Sequence, residues 1–352
     1  MFFYLGLTLF TVLLRPICSL LFQRHKNLSY VIAAGAALWA VSAFRDITVG
    51  TDTLGYFQNY QSVQLLGAAG ISQLRLEPLY YYFMLIAGQL LGDYNAFLAV
   101  QSLFTIALFM RFIYKNSSNV CVSVLVFQLA YFYCASLNIS RFWLGASIAL
   151  IGYDFAKKCL FKKSCVFVVI GSLVHTTNLA FLVIYLLLAK KRVANEMTLV
   201  ISILFALLTT FALNWGIGFV SMLFPRYSVY QDYSAGGSSG LFPIFFLLIL
   251  IVASFSSDKD RAPADSRRTL LVASVVSIGY VISISSIWLP LMARFSYVFT
   301  VFLLLFIPEL PAMSKRYGRL IQAITLLALA VYYMNLLNSN SAGVIPYASI
   351  FG

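Results

Sequence analysis

Five isolated arginines are the residues of this chain best suited to binding an anion. They are Arg45, Arg75, Arg141, Arg226 and Arg294, and each stands apart from the Lys and Arg clusters. A guanidinium binds phosphate through two parallel hydrogen bonds and keeps its charge at any working pH. A single such Arg can also snorkel to a membrane surface or join a local ion pair. Because all five are Arg and none is Lys, we expect some of them to form an anion site.

Three further side chains could take part in proton transfer. Asp52 lies in the stretch "GTDT", Glu77 directly precedes a proline, and His175 lies in "LVHTTNL". Each also has a structural interpretation, since Asp caps turns, an acidic residue often precedes a helix that starts with Pro, and a neutral His can donate to a neighbouring helix. All three remain candidate catalytic residues, and which of them is the base stays open.

Three more residues are candidates for substrate binding. The Thr53 hydroxyl and the Tyr56 ring follow Asp52 and could contact a sugar, and Tyr297 is an aromatic neighbour of Arg294. Arg141 in "SRFW" and Arg294 in "ARFSY" stand at predicted helix starts, where free amides add partial positive charge. Such a pocket suits a diphosphate at a membrane surface.

The composition predicts that lipid is the solvent for most of the chain. Hydrophobic residues make up 61% of its 352 residues, charged residues only 10%, and the mean hydropathy is +0.90. A soluble domain has about 25% charged residues. The apolar runs are continuous, which indicates helices. We therefore predict an all-α polytopic membrane protein, a single integral membrane domain over 1–352, with about 10–12 transmembrane or re-entrant helices around an outward-facing polar cavity.

The basic residues predict the orientation. Nineteen of the 24 Lys and Arg residues flank apolar runs on one face, which is the positive-inside pattern. The net charge of +13 therefore needs no nucleic-acid partner. This orientation predicts outer loops near 45–77 and 225–240 and an inner basic loop at 257–268.

Two stretches do not fit a simple count of spans. Residues 164–189 run from one basic cluster to another, yet 26 residues are too few for two full spans at about 1.5 Å per residue. We predict two short half-helices that meet near His175, with irregular backbone lining a cavity. The stretch 45–115 contains either a re-entrant segment or an inserted run at 62–74.

Several motifs of known chemistry are missing from the sequence. It contains no G-x-x-x-x-G-K-[ST], no H-E-x-x-H or other metal-ligand spacing, and no G-x-S-x-G. We therefore expect no cofactor and no protein-held metal.

The chain resembles the EpsG family of bacterial polysaccharide polymerases, functionally the Wzy O-antigen polymerases. The resemblance rests on "RDITVGTDTLGYFQNY", "EPLYYYF", "SRFWLGASIAL", "GSLVHTTNLAF" and "ARFSYVF", which occur in the family's order. The family commonly has Gln after the arginine at position 141, where this chain has Phe142.

The resemblance implies a glycosyltransferase of the bacterial inner membrane whose site faces the periplasm. The glycan carried on undecaprenyl diphosphate would be moved onto the non-reducing end of a lipid-linked repeat unit, in O-antigen or exopolysaccharide synthesis. Arg141 and Arg294 would bind the diphosphate, with Arg45 as a third clamp. Expected partners are the lipid-linked oligosaccharides, membrane lipids and a chain-length-determining co-polymerase. The alternatives are an O-antigen ligase and a lipid-linked oligosaccharide flippase or transporter.

Overall fold

The computed structural model describes residues 1–189, 241–255, 263–285 and 291–352, together with a few isolated positions between 200 and 208. The predicted outer loop 225–240, Arg226 and the first part of the predicted inner loop, 257–262, lie outside the described residues. Residues 263–268 of that loop belong to a helix.

The described residues form α-helices joined by short turns, which confirms the predicted all-α membrane fold. The first eleven are α1 Phe2–Leu21, α2 Lys26–Ala43, α3 Thr53–Leu66, α4 Pro78–Leu91, α5 Tyr94–Asn116, α6 Val120–Leu129, α7 Phe132–Asn138, α8 Ser140–Ala149, α9 Tyr153–Ala156, α10 Phe161–Ser172 and α11 Phe181–Ala189. From residue 241 onward the helices are α12 Leu241–Phe255, α13 Pro263–Ser285, α14 Leu291–Thr300, α15 Leu303–Met313 and α16 Gly318–Asn338.

Within the described ranges, α1, α5 and α16 are long and apolar enough to cross a membrane. The number of such spans rises to 5 if the bent pairs α6–α7 and α14–α15 each count as one. Several shorter apolar helices accompany them, so the predicted ten to twelve membrane elements stay a prediction.

The chain divides into two compact units. One comprises Met1–Ala189 with Leu329–Gly352, and the other comprises Lys190–Ala328. The single domain over 1–352 stays a prediction.

Local sequence signals explain several helix ends of the first unit. The Asp93 side chain accepts a hydrogen bond from the Ala96 amide at 3.1 Å and so caps α5. The Asn119 side chain caps α6 by accepting from two amides. Pro78 occupies the first position of α4, where its missing N–H costs nothing. These signals fix where α4, α5 and α6 begin.

The predicted break near His175 is confirmed. Helix α10 ends at Ser172, His175 has extended backbone with φ −155° and ψ 117°, and a short 3-10 turn leads into α11 at Phe181. Helix α10, with 12 residues, is shorter than a full span of about 20 residues, and the described part of α11 has 9. The polar sequence "HTTN" therefore lies where the helical hydrogen-bond ladder is interrupted.

The stretch 45–77 was predicted as an outer loop, but most of it is helical. Helix α3 and the 3-10 turn Gly67–Ser72 occupy its centre, and α3 packs against α4. With 14 residues each, α3 and α4 are about 21 Å long, too short for a full span. Buried aromatic side chains between α3, α4 and α5 explain the helix, because they give α3 an apolar face; they are Tyr60, Tyr80, Tyr94 and Phe97.

Helices α8 and α10 cross at two glycines. A Cβ atom on Gly145 would lie 2.6 Å from the Gly171 carbonyl oxygen, and one on Gly171 would lie 2.5 Å from the Gly145 carbonyl oxygen. Only glycine allows the two backbones to approach this closely. This crossing sets how α10, and therefore the break at His175, lies against α8.

Candidate functional site

The predicted residues Glu77, Arg141 and His175 meet at one place. An Arg141 Nη1 hydrogen bond to Glu77 Oε2 measures 2.7 Å, and both side chains are largely buried. The other carboxylate oxygen accepts hydrogen bonds from the Thr176 amide at 3.1 Å and from the Thr176 hydroxyl at 3.4 Å. Glu77 therefore ties the start of α4 to the start of α8 and to the break between α10 and α11.

The guanidinium of Arg141 also lies over an aromatic ring. Its Cζ atom is 5.7 Å from the centroid of the Tyr80 ring, within the range of a cation–π contact. The Tyr80 hydroxyl in turn donates to Gln101 Oε1 at 3.0 Å. Arg141 Nε is buried and has no hydrogen-bond partner in the described structure. The arginine is thus fixed on one edge by a carboxylate and on one face by a ring.

Tyr56 reaches the same place from α3. Its ring centroid lies 6.4 Å from that of Tyr80, in an edge-to-face arrangement. Asp52 precedes Tyr56 by four residues, and residues four apart share a helix face. Asp52 is half-buried and directly precedes α3. The α3 face that carries Asp52 and Tyr56 therefore adjoins the ring on which Arg141 lies.

His175 is held by its neighbours rather than exposed on the surface. Its ring packs edge-to-face on Phe142, with centroids 5.6 Å apart, and the residue is only 7% exposed. The Asn178 side-chain amide donates to the carbonyls of Phe142, Gly171 and His175. Asn178 thus fastens the irregular backbone to α8 and to the end of α10.

The "GTDT" loop has a defined shape that depends on Asn138, a residue that the sequence did not single out. Asn138 Oδ1 accepts from the Asp52 amide at 2.8 Å and from the Thr51 hydroxyl at 3.1 Å. Gly50 has φ +99°, and a Cβ atom there would lie 3.0 Å from the Leu137 carbonyl oxygen. The loop therefore rests directly on the end of α7, three residues before Arg141.

Thr53 does not reach the solvent. It is fully buried, and its hydroxyl donates to the Val49 carbonyl at 2.7 Å. The structure therefore gives Thr53 a turn-closing role at the start of α3 in place of the predicted sugar contact.

Arg45 is also buried, at 1% exposure, instead of facing the outer surface as a diphosphate clamp. Its Nη1 donates to the Ser42 carbonyl at 2.5 Å, and its Nε has no hydrogen-bond partner in the described structure. It borders a polar cavity of about 10 Å³, also lined by Gln101, Ser136 and Ser140. That volume corresponds to about one water-sized sphere, so the cavity is too small for a diphosphate.

The segment 342–350, which we call the tail strap, lies along the loop that carries these residues. The Gly50 amide donates to Gly343 at 2.8 Å and the Thr51 amide to Ala342 at 3.2 Å. Arg45 and Ser349 form an isolated antiparallel bridge. The tail strap thus supplies backbone acceptors to both ends of the loop, a role with no signal in the sequence.

Asp46, next to Arg45, caps its own turn. Hydrogen bonds from the Thr48 amide at 3.0 Å and the Thr48 hydroxyl at 2.8 Å hold the pKa of the Asp46 carboxyl below its usual range. Asp46 is therefore a turn residue, and the acidic candidates of the site remain Asp52 and Glu77.

Arg294 and Tyr297 belong to the other unit. They lie three residues apart on α14, so they share a helix face, as the sequence predicts for a joint role. Their position relative to Arg141 stays a prediction. Throughout the described residues, no group of three His, Cys, Asp or Glu side chains could hold a metal ion.

The opposite end of the first unit carries basic side chains. Arg111 forms an ion pair with Asp154 at 2.7 Å, and Lys157 donates to Asn116 at 2.5 Å. These contacts join the end of α5 to α9, as expected if both belong to the basic face predicted to be inside. We call this end the basic end; it is distinct from the site around Arg141.

Comparison with known proteins assigns the chain at the family level. The model of the EpsG family matches residues 28–349, nearly the whole chain. No curated protein and no solved structure matches the chain. The matched region contains every residue of the site described above. The chain therefore belongs to the EpsG family, a family of membrane proteins associated with polysaccharide polymerisation.

Proposed function

We propose that this protein is a polysaccharide polymerase of the bacterial inner membrane, a glycosyltransferase acting at the periplasmic face. Its donor would be a glycan on undecaprenyl diphosphate, and its acceptor the non-reducing end of a lipid-linked repeat unit. The observation that carries the proposal is the position of Arg141, held between Glu77 and Tyr80 beside the break at His175. Family membership supports the same reaction class.

The reaction replaces one bond at the anomeric carbon of the donor sugar. The acceptor hydroxyl oxygen forms the new glycosidic bond, the bond from the anomeric carbon to the diphosphate oxygen breaks, and the hydroxyl proton passes to a base. Undecaprenyl diphosphate leaves with the electron pair of the broken bond. A fixed cation beside the leaving group lowers the barrier because it is already oriented toward the developing charge. In our proposal Arg141 has this role.

The contacts of Glu77 favour a positioning role for this residue. Both of its oxygens already accept hydrogen bonds, from Arg141 and from Thr176. A carboxylate with these partners is poorly placed to take a proton from a sugar hydroxyl. We propose instead that Glu77 orients Arg141.

Asp52 is the better candidate for the base. It is half-buried, whereas His175 is buried against Phe142, and it shares a helix face with Tyr56, whose ring adjoins Tyr80. Tyr56 would form one wall of the acceptor sugar's site. With a diphosphate as leaving group, correct placement of the acceptor hydroxyl contributes as much as proton removal.

The test is a gel of the cell's lipopolysaccharide or exopolysaccharide after deletion of the gene. The strain is complemented with the wild type, Arg141→Ala, Asp52→Asn and, as a matched control, Arg75→Ala. Arg75 is exposed and lies two residues before Glu77. We expect the ladder of repeats to return with the wild type and Arg75→Ala, and to stay at a single repeat with Arg141→Ala and Asp52→Asn.

The deletion strain also distinguishes the alternatives. Loss of all lengths above a single repeat on the lipid core supports a polymerase. If the single repeat is also missing from the core, the protein is an O-antigen ligase or a flippase, and the proposal is wrong. Immunoblots of membranes must show equal amounts of each variant, so that a lost ladder reports activity and not abundance.

A further inference from the structure

An apolar groove runs between α2 and α5, and nothing in the proposed reaction uses it. Its volume is about 430 Å³. Leu28 and Tyr114 line one end, Trp39 and Leu103 line the other, and the small side chains of Ala36 and Ala107 form part of its wall. Both alanines are exposed. The two helices thus leave a channel that an unbranched hydrocarbon chain could enter from the side.

The length of the groove matches the depth of one membrane leaflet. From Leu28 to Trp39 the α2 backbone rises about 16 Å at 1.5 Å per residue. The hydrocarbon core of a bilayer is about 30 Å thick, so one leaflet contributes about 15 Å. A groove of this length holds the acyl chain of a lipid from one leaflet.

The charges at its ends indicate which leaflet. Arg111 lines the groove near Tyr114, and Lys115 follows Arg111 by four residues on the same face of α5. Asp154 pairs with Arg111 and Lys157, which leaves the basic end with excess positive charge. At the far end the Trp39 indole donates to the Ala99 carbonyl at 3.0 Å. Of the two ends of the groove, the basic end therefore carries the positive charges that would attract a lipid phosphate.

We propose that this groove binds one acyl chain of an anionic phospholipid from the leaflet at the basic end, with the lipid phosphate between Arg111 and Lys115. The site would hold a lipid of the surrounding membrane and not the glycan carrier of the reaction. Its location between α2 and α5 makes it independent of the proposed polymerase activity.

The test uses the purified full chain, stripped of lipid in detergent and studied by native mass spectrometry. Phosphatidylglycerol and phosphatidylcholine with the same acyl chains are added at equal concentration. We expect phosphatidylglycerol to bind about fivefold more strongly, since Asp154 already compensates Arg111 and the charge of Lys115 near an anionic headgroup contributes about that factor. Ala107→Phe should fill the groove and abolish this binding, whereas Ala323→Phe, at an exposed alanine of α16, should leave it unchanged.

Lys115→Gln is the second variant, chosen because Lys115 is exposed and its replacement spares the helix contacts. It should reduce the preference for phosphatidylglycerol while binding of phosphatidylcholine persists. Equal binding of the two lipids by the wild type, or full binding by Ala107→Phe, would overturn the proposal. So would displacement of phosphatidylglycerol by undecaprenyl phosphate, because the groove would then accept the polyprenyl carrier.

Discussion

Glu77 holds the guanidinium of Arg141 at 2.7 Å although the two residues lie 64 positions apart in the chain. The ion pair lies at the junction of α4, α8 and the break after α10. Breaking one member of a buried pair leaves the other charge without compensation, which costs more than the pair contributes when intact. The pair therefore has two effects: it holds the three segments of the site together, and it keeps the two buried charges compensated.

Replacing Glu77 should distinguish positioning from proton transfer. Glu77→Gln keeps one acceptor oxygen, which can still receive the hydrogen bond from Arg141, and loses the acceptor for Thr176, so we expect polymerisation within about tenfold of the wild type. Glu77→Ala removes the acceptor and should cost about 10–100-fold, the worth of a hydrogen bond to a charged group. The rate of chain extension on a purified lipid-linked repeat unit measures both. Equal losses in the two variants, each of 10²-fold or more, would indicate that Glu77 is the base.

Asn138 should control the loop that carries Asp52. Asn138→Ala removes the acceptor for Asp52 and Thr51, each bond contributing about 1 kcal/mol. We expect the rate of extension to fall about tenfold while the unfolding temperature changes little. Asn59→Ala, on α3, is the control. A rate equal to the wild type would show that the loop keeps its shape without Asn138.

The glycine crossing of α8 and α10 predicts a loss of stability. In Gly145→Ala the new methyl group would lie against Asn178 and the Gly171 carbonyl. We expect destabilisation by about 1–3 kcal/mol, typical of overpacking, seen as a lower unfolding temperature in detergent. Gly55→Ala on α3, where a Cβ atom would meet nothing within 4 Å, should be neutral or slightly stabilising. Similar behaviour of the two variants would contradict the close crossing.

Removing the tail strap should loosen the loop it covers. In a chain truncated after Ser341, Gly50 and Thr51 lose their backbone acceptors. We expect faster amide hydrogen exchange over 44–52, measured by mass spectrometry, while α5 exchanges as before. Unchanged exchange over 44–52 would mean that Asn138 alone holds the loop.

Replacing the buried Arg45 tests whether its charge contributes to stability or to activity. Arg45→Met replaces the charge with an apolar side chain of similar length and so removes the cost of burying a cation for which no ion pair is described. We therefore expect an unfolding temperature equal to or above that of the wild type. If the variant is stable and active, Arg45 has no part in catalysis. A stable but inactive variant would restore Arg45 to the site.

The sequence predicted those features that depend on local length and charge. The break near His175 followed from 26 residues between two basic clusters, and α10 and α11 are separated there. Glu77 and Arg141 were each predicted at a helix start, and His175 at the break between two half-helices, but the sequence did not predict that the three meet. Their meeting is a finding of the structure, in which Glu77 accepts from Arg141 and from Thr176, the residue after His175.

The features that the sequence missed depend on contacts between distant segments. Asn138 carries no motif, and its importance comes from the approach of α7 to the loop at Gly50. Arg45 is buried between distant segments, because Ser349 of the tail strap pairs with its backbone and Gln101 of α5 borders the same cavity. Helix α3 was missed because "GYFQNYQSV" is rich in polar residues, although Tyr56, Tyr60 and Val63 have the spacing of one helix face. Tyr60 and Val63 pack in the core that α3 shares with α4 and α5.

The tail strap also orders events during synthesis. The ribosome makes residues 44–52 early, yet their partners at 342–350 emerge only after nearly all the helices have been made. The Tyr4 hydroxyl, from the start of the chain, donates to Val344 at 3.1 Å and so waits for the same segment. Until that segment has been made, the loop lacks the backbone acceptors at Ala342 and Gly343. A chain whose translation stops before this segment would therefore insert into the membrane without the hydrogen bonds that the tail strap gives to the loop carrying Asp52.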